Sequence, residues 1–309
     1  MNENDLLQSY KEQAQKNRQE WAKNDALRDA GIREPEHVKK ITDITYADSE
    51  TENEKIWHLL DIYYPEDEKS LVKDGKYPVI VSVHGGGWFY GDKELYRLYT
   101  MTLAAYGFAV VNFNYRLSPE YQYPAGFTDV CMVMDYLTKH AEQYELDLQR
   151  MYMVGDSAGA QLTSQYSIFA TNQSYRELFP FGRDVEIIVP KKIALNCGVY
   201  DGGFLFQTDE ISNWYIPFTI QRNLAASYFR VLDYMTKDFP ATYLMLSVND
   251  PLAKHTESMK QKLQAFSIPF VFREFGQDEA ADGHVFHLNL RSENGKRANR
   301  EEMEFFAGE

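Results

Sequence analysis

Residues 151–154, Met-Tyr-Met-Val, read as a short apolar strand that runs into Gly155-Asp156-Ser157-Ala158-Gly159 and then into the helix start Ala160-Gln161-Leu162. A strand that turns directly into a helix holds its central residue in a strained conformation. Glycines on either side let neighbouring backbone approach without Cβ clashes. The turn therefore presents the Ser157 hydroxyl in the open, as a nucleophile needs, and it calls for a parallel sheet flanked by helices. Glycine and serine are common, so the five residues alone are a modest signal and their context decides.

That context includes a second strand-to-loop junction, Val79-Ile80-Val81-Ser82-Val83 followed by His84-Gly85-Gly86-Gly87-Trp88. The β-branched run suits a strand buried on both faces. A glycine run at its end exposes backbone N–H groups, and the helix start behind Ser157 adds the Ala158 N–H with a favourable dipole. Donors so placed can stabilise a developing oxyanion. A serine nucleophile also needs a base and an acid to orient it. Thr242–Val248 reads as a strand that ends at Asn249-Asp250-Pro251-Leu252, and Pro269–Phe275 as another that leads to Asp282-Gly283-His284-Val285-Phe286-His287. The order Ser157, Asp250, His284 is that of an α/β-hydrolase.

Together these residues resemble the α/β-hydrolase superfamily, and within it the hormone-sensitive-lipase-like esterases and the related bacterial esterase/lipase group. Four blocks carry the likeness: His84 to Trp88 (family H-G-G-G), Asn114-Tyr115-Arg116-Leu117-Ser118-Pro119-Glu120 (family Y-R-L-A/S-P-E), the G-D-S-A-G elbow, and Asp250-Pro251-Leu252 with a later His-x-Phe. The likeness spans residues 56 to 306. It implies Ser157 as nucleophile, Asp250 as acid, His284 as base, and the N–H groups of Gly86, Gly87 and Ala158 as oxyanion donors, with Gly85 the less certain glycine. It also implies a mostly parallel sheet of about eight strands, helices on both faces and a helical cap.

Two positions have rivals. The family commonly carries His-Gly-Phe where this chain has His284-Val285-Phe286, and His287 follows; His284 is preferred because it alone fits His-x-Phe and lies on a loop after Gly283. Asp201, after the strand Ile193–Val199, is the rival to Asp250, since some hydrolases take their acid from that strand end.

Chain organisation follows from the pattern of apolar residues. Residues 1–40 read as a polar helical segment with Leu7, Tyr10, Ala14 and Trp21 on one face, either part of a cap over the site or a helix packed on the core. Residues 41–309 read as the catalytic domain, with strands at 57–64, 79–83 and 108–113 and helices at 125–144, 158–170, 253–266 and 298–306. Asp201 to Asp238 interrupts the alternation with Phe204, Phe206, Trp214, Tyr215, Phe218, Tyr228 and Phe229, and reads as an inserted lid or as an insert with its own small core. Trp88 and Trp214 are the candidate substrate-binding aromatics; Trp88, Phe89 and Tyr90 are the pocket walls nearest the oxyanion loop. Tyr115, Arg116, Pro119 and Glu120 are assigned bracing rather than chemistry.

Composition narrows the function. The chain has 309 residues, 44% apolar and 25% charged, enough for one large core. A net charge of −14 without a basic cluster argues against nucleic acid and against anionic membranes. No apolar run reaches membrane-spanning length, and the first residues lack a signal-peptide pattern. Cys131 and Cys197 read as reduced core residues, and a cytoplasmic protein is expected. No cofactor motif is present. His37, His58, His140 and His255 lack a matching metal-ligand set. A phosphate loop at Gly86–Lys93 is rejected because Asp92 and Glu94 stand where Lys and Ser/Thr are required.

The expected activity is therefore that of a serine carboxylesterase on short-chain or small aromatic esters, working through an acyl-enzyme. The alternatives are a deacetylase of acylated carbohydrates, an acyl-peptide hydrolase, or a non-catalytic ligand receptor on the same fold. The partner is a small-molecule ester, and the oligomeric state, a homodimer included, is left open.

Overall fold

The computed structural model describes residues 3–66, 71–200, 210–216, 228–276 and 282–308. A long helix, α1 (Glu3–Asp29), precedes an eight-stranded sheet built from β1 (Val38–Thr45), β2 (Leu59–Pro65), β3 (Tyr77–Val83), β4 (Ala109–Phe113), β5 (Leu146–Asp156), β6 (Lys192–Asn196), β7 (Ala241–Ser247) and β8 (Phe270–Phe275). The strand order is β1-β2-β4-β3-β5-β6-β7-β8. β1 and β2 pair antiparallel, as do β2 and β4, and the pairs from β4 through β8 are parallel. The α/β-hydrolase architecture expected from the motifs is thus present.

Among the described residues, longer helices follow at α2 (Lys93–Ala104), α3 (Ala125–His140), α4 (Ala158–Thr171), α5 (Ala253–Ala265) and α6 (Glu293–Ala307) and cover the sheet. The two faces share one strand's side chains by alternation. Val79, Val81 and Val83 of β3 join a core with Phe127, Val130 and Leu162, whereas Ile80 joins Leu103, Val154, Met303 and Phe306 on the other side. That is why β3 carries no polar face to spare, and why its apolar run was readable as a strand.

Several boundaries differ from the sequence expectation. The N-terminal helix stops at Asp29, where Gly31 adopts φ 79°, and β1 already begins at Val38, so the helical segment does not extend to residue 40. Helix α2 was not foreseen. Its signal was Asp92, whose carboxylate accepts the Leu95 amide at 2.7 Å as an N-cap. Helix α6 starts at Glu293, ahead of the expected Ala298, because Ser292 caps it by accepting the Gly295 amide at 2.9 Å.

The expected insert is described only in part. Asp201, Phe204, Phe206 and Phe218 lie outside the described residues. Trp214, Tyr215 and Phe229 are buried, and Tyr215 stacks on Trp88 with ring centroids 4.9 Å apart.

Helix α1 is held to the rest of the fold mainly by arginines. Arg18 donates to the Phe89 and Ser118 carbonyls, both at 2.8 Å, and pairs with Glu120. At the far end Arg291 donates to the Leu27, Arg28 and Ala30 carbonyls, which are the free acceptors of the helix C-terminus. Tyr10, Ala14 and Trp21 pack with Phe89, Tyr90 and Trp214 in a small separate apolar cluster. No described helix is long and apolar enough to cross a membrane.

Candidate active site

Three strand ends supply the candidate triad. Ser157 closes β5 and opens α4 with φ 52° and ψ −115°, a conformation disfavoured for any residue with a side chain. The surrounding glycines are required by close approach: a Cβ on Gly159 would lie 2.0 Å from the Val83 carbonyl oxygen. The elbow therefore packs against the end of β3, where the glycine loop begins.

His284 Nε2 stands 2.9 Å from Ser157 Oγ, and His284 Nδ1 stands 3.0 Å from Asp250 Oδ2. The other carboxylate oxygen of Asp250 accepts the Leu252 amide at 2.8 Å, and the Cys197 thiol donates to the same carboxylate. Burial opposes ionisation of Asp250, but the hydrogen bonds from His284, Cys197 and Leu252 outweigh it and hold the carboxyl below its usual range. The structure thus joins Ser157, His284 and Asp250 in one hydrogen-bonded line.

His287 is placed elsewhere. It is fully buried, its ring meets Tyr99 edge-on at 5.4 Å, and burial drives its pKa down to about 3. It packs rather than facing the cavity.

The glycine loop resolves the order of its three members. The Gly85 amide donates to the Tyr96 hydroxyl at 3.0 Å, and that hydroxyl in turn donates to Asp156 at 2.8 Å, so Gly85 is committed to the framework. Gly86 and Gly87 take φ 102° and 59° and line the cavity with Ala158; among the described residues their amides meet no backbone acceptor. Beneath the loop, His84 stacks on Tyr115 at 4.1 Å, and burial lowers its pKa to about 4, so it is neutral packing. Tyr115 donates to the His84 carbonyl at 2.9 Å, and Arg116 forks onto Asp129 at 2.7 and 3.0 Å. These are the bracing roles expected of that block, and Glu120 extends the bracing to α1 through Arg18.

A cavity of about 450 Å³ opens above Ser157 and His284. Trp88 lines it, with its indole N–H satisfied by Gln161 Oε1 at 3.1 Å. Trp214 does not line it, contrary to expectation: it is buried behind Phe89, edge-on at 5.1 Å, because the apolar face of α1 takes it as a packing partner. The wall instead includes Trp21, Asn24, Asp25 and Arg28 of α1. Arg28 is paired with Asp25 and Asp29, and Asp25 also accepts the Tyr90 hydroxyl at 2.7 Å. Trp21, Asn24, Asp25 and Arg28 share one face at helical spacing, but polar residues on a helix carry no local mark of whether they meet solvent or a cavity.

Two residues that the sequence marked only as a departure from the family pattern and as a core thiol also lie at the site. Val285, where the family commonly has glycine, sits in the left-handed region at φ 52°, ψ 34°, which for a β-branched residue stores about 1–2 kcal/mol of strain. Cys197 takes φ 50° at the end of β6 and faces Asp250. With Ser157 and Trp88 (φ 61°), four non-glycine residues around the site hold positive φ. Such a concentration of strain is characteristic of functional sites.

Comparisons with known proteins agree with this architecture. The chain is 28% identical over 212 residues to an esterase of Gibberella moniliformis, covering 65% of each protein. It is 25% identical over 207 residues to the acetyl esterase of Salmonella schwarzengrund, covering 64% of this chain and 62% of that one. The chain thus spans less than two thirds of the length of these curated relatives. Among solved structures it superposes on esterase B from Lactobacillus Rhamnosis with a TM-score of 0.84 at 24% identity, covering 97% of this chain and 95% of that one, which shows the shared fold. Residues 60–263, a segment that contains the glycine loop, Ser157 and Asp250 and ends ahead of His284, match the BD-FAE family, and the chain belongs to it.

Proposed function

We propose that this protein is a serine carboxylesterase that hydrolyses short-chain or small aromatic esters through an acyl-enzyme. The observation that carries the reading is the continuous line Ser157 Oγ, His284 Nε2, His284 Nδ1, Asp250 Oδ2, with separations of 2.9 and 3.0 Å, facing the amides of Gly86, Gly87 and Ala158 across one cavity. The esterase names of the relatives support the same bond type.

In this reading Ser157 Oγ attacks the ester carbonyl while His284 Nε2 takes its proton. Asp250, ionised at neutral pH, holds the proton on Nδ1 and stabilises the imidazolium. The three amides bind the oxyanion, each such donor being worth on the order of 3 kcal/mol in the transition state. His284 then protonates the departing alcohol. Water, activated by the same imidazole, releases the acid and restores Ser157.

The cavity volume of about 450 Å³ suits a small ester, and its α1 wall gives it a polar side at Asn24, Asp25 and Arg28. A deacetylase of acylated carbohydrates is the second reading, favoured by that polar wall and by the acetyl esterase relatives. The test is turnover by the purified protein of nitrophenyl esters with acyl chains from about two to about twelve carbons, run beside acetylated sugars. Activity concentrated at the shortest chains is expected. No turnover of any member, or turnover undiminished in Ser157→Ala, overturns the proposal.

A further inference from the structure

Cys197, Asp250 and His284 come from the ends of three neighbouring strands, and one donor atom from each, Sγ, a carboxylate oxygen and a ring nitrogen, lies within 4.8 Å of the others. Cys197 is 1% exposed and Asp250 6%, whereas the His284 side chain is 31% exposed and borders the cavity. Thiolate, carboxylate and imidazole are all zinc ligands, and of the three residues only His284 lines the cavity. The thiol selects a borderline or soft cation over Mg²⁺ or Ca²⁺. Metal–ligand lengths of about 2.0 to 2.3 Å place such donors roughly 3.3 to 3.7 Å apart, so the widest separation, within 4.8 Å, closes by up to about 1 Å while the His284–Asp250 pair, now at 3.0 Å, opens slightly.

We propose that Cys197, Asp250 and His284 form an inhibitory site for Zn²⁺ and similar cations, entered from the substrate cavity. Ion binding stands on the cluster geometry alone, while inhibition rests on the esterase reading. On binding, Cys197 gives its thiol proton to solvent as the metal–sulfur bond forms. The metal replaces the proton on His284 Nδ1, and the imidazole keeps one proton, now on Nε2. One proton is released overall, and the ion's two charges are balanced by one thiolate and one carboxylate, so no net charge is left buried. Nε2 then presents an N–H to Ser157 and has no lone pair to receive the serine proton. The ion thus locks the imidazole in the tautomer that cannot act as base.

Two measurements test this. Co²⁺ titrated into the purified protein reports thiolate ligation through an intense near-ultraviolet charge-transfer band. The band is expected in the native protein and in Ser157→Ala, and is expected to be lost in Cys197→Ser. Zinc inhibition, read against each protein's own zinc-free rate and reversed by a chelator, is expected to need at least about tenfold more Zn²⁺ in Cys197→Ser. Absence of the band in the native protein, its survival in Cys197→Ser, or equal zinc sensitivity of the two overturns the proposal. Should Cys197→Ser fail to fold, Asp250→Asn serves instead, with Co²⁺ affinity reduced about tenfold or more; unchanged affinity there overturns the site. A protein without esterase activity that still shows the cobalt band would refute the esterase reading and leave the ion site standing. An active esterase with no band would do the reverse.

Discussion

Nε2 of His284 lies 2.9 Å from Oγ of Ser157, although 127 positions separate the two residues. Ser157 ends the central strand β5, and His284 follows the edge strand β8 on a loop strained at Val285. Replacing Ser157 with alanine is expected to lower kcat on a nitrophenyl ester about a thousandfold or more with little change in melting temperature, measured on matched preparations.

Asp250 faces that imidazole from the other side. Its pKa is lowered in the fold, so its stabilising contribution is complete above the ordinary carboxyl value of 3.8 and is lost as the pH falls through the lower folded value. Asp250→Asn is expected to reduce kcat by about a thousand- to ten-thousandfold at neutral pH, through loss of the productive tautomer. In urea titrations its stability deficit against the native chain should be full at pH 6 and shrink below about pH 4.

Gly86 tests the proposed oxyanion role of the glycine loop against a purely structural one. A Cβ there would sit 2.0 Å from the Tyr90 carbonyl oxygen, and φ is 102°. Gly86→Ala is expected to cost about 2–4 kcal/mol of stability and to lower kcat/KM at least a hundredfold. Gly283→Ala, with nothing among the described residues within 4 Å of its added Cβ, is the control, and its melting temperature should move by no more than a degree or two.

Glu302 is fully buried on α6, accepts the Asn196 amide at 2.6 Å, and is pushed up to about 8 by burial. It therefore folds as the neutral acid. Its contribution is complete below pH 4.5 and declines as the pH rises towards 8, on the order of a few kcal/mol in all. Glu302→Gln, which cannot ionise, should flatten the fall in melting temperature between pH 5 and 8. An identical slope in both proteins would show that the carboxyl is not the cause.

Helix α1 forms one wall of the cavity, tied down by its own Arg18 near the middle and by Arg291 at its C-terminal end. The double substitution Arg18→Ala, Arg291→Ala is expected to speed proteolysis within residues 3–29 and to raise KM several-fold more than it lowers kcat. Such a split is what a cavity wall that touches a bound ester without holding its reacting atoms would give.

Much of the sheet was legible because strands β3 to β7 are covered on both faces, which writes them as unbroken apolar runs. β1 carries no such run, because its pattern, Val-Lys-Lys-Ile-Thr-Asp-Ile-Thr, is that of an edge strand with most side chains in water. The elbow was legible for a different reason. Its glycines are demanded by contacts within a few residues of the strand end, so composition and geometry coincide locally. Trp214 was misjudged because an aromatic in an insert carries no mark of which neighbour it will meet; α1 lies some two hundred positions away in sequence, roughly ten times the length scale on which periodicity speaks.

The chain's residues by themselves determined the strand-to-helix turn at Ser157, the donor-rich glycine loop, and the chain order of serine, acid and histidine, since each depends on backbone sterics over a handful of positions. Only the tertiary structure decided that Gly85 bonds Tyr96 while Gly86 and Gly87 face the cavity, that α1 supplies the polar wall, and that Cys197 shares the Asp250 carboxylate. Those outcomes are set by sheet register and by the packing of distant loops on one another, and no short window of sequence encodes them.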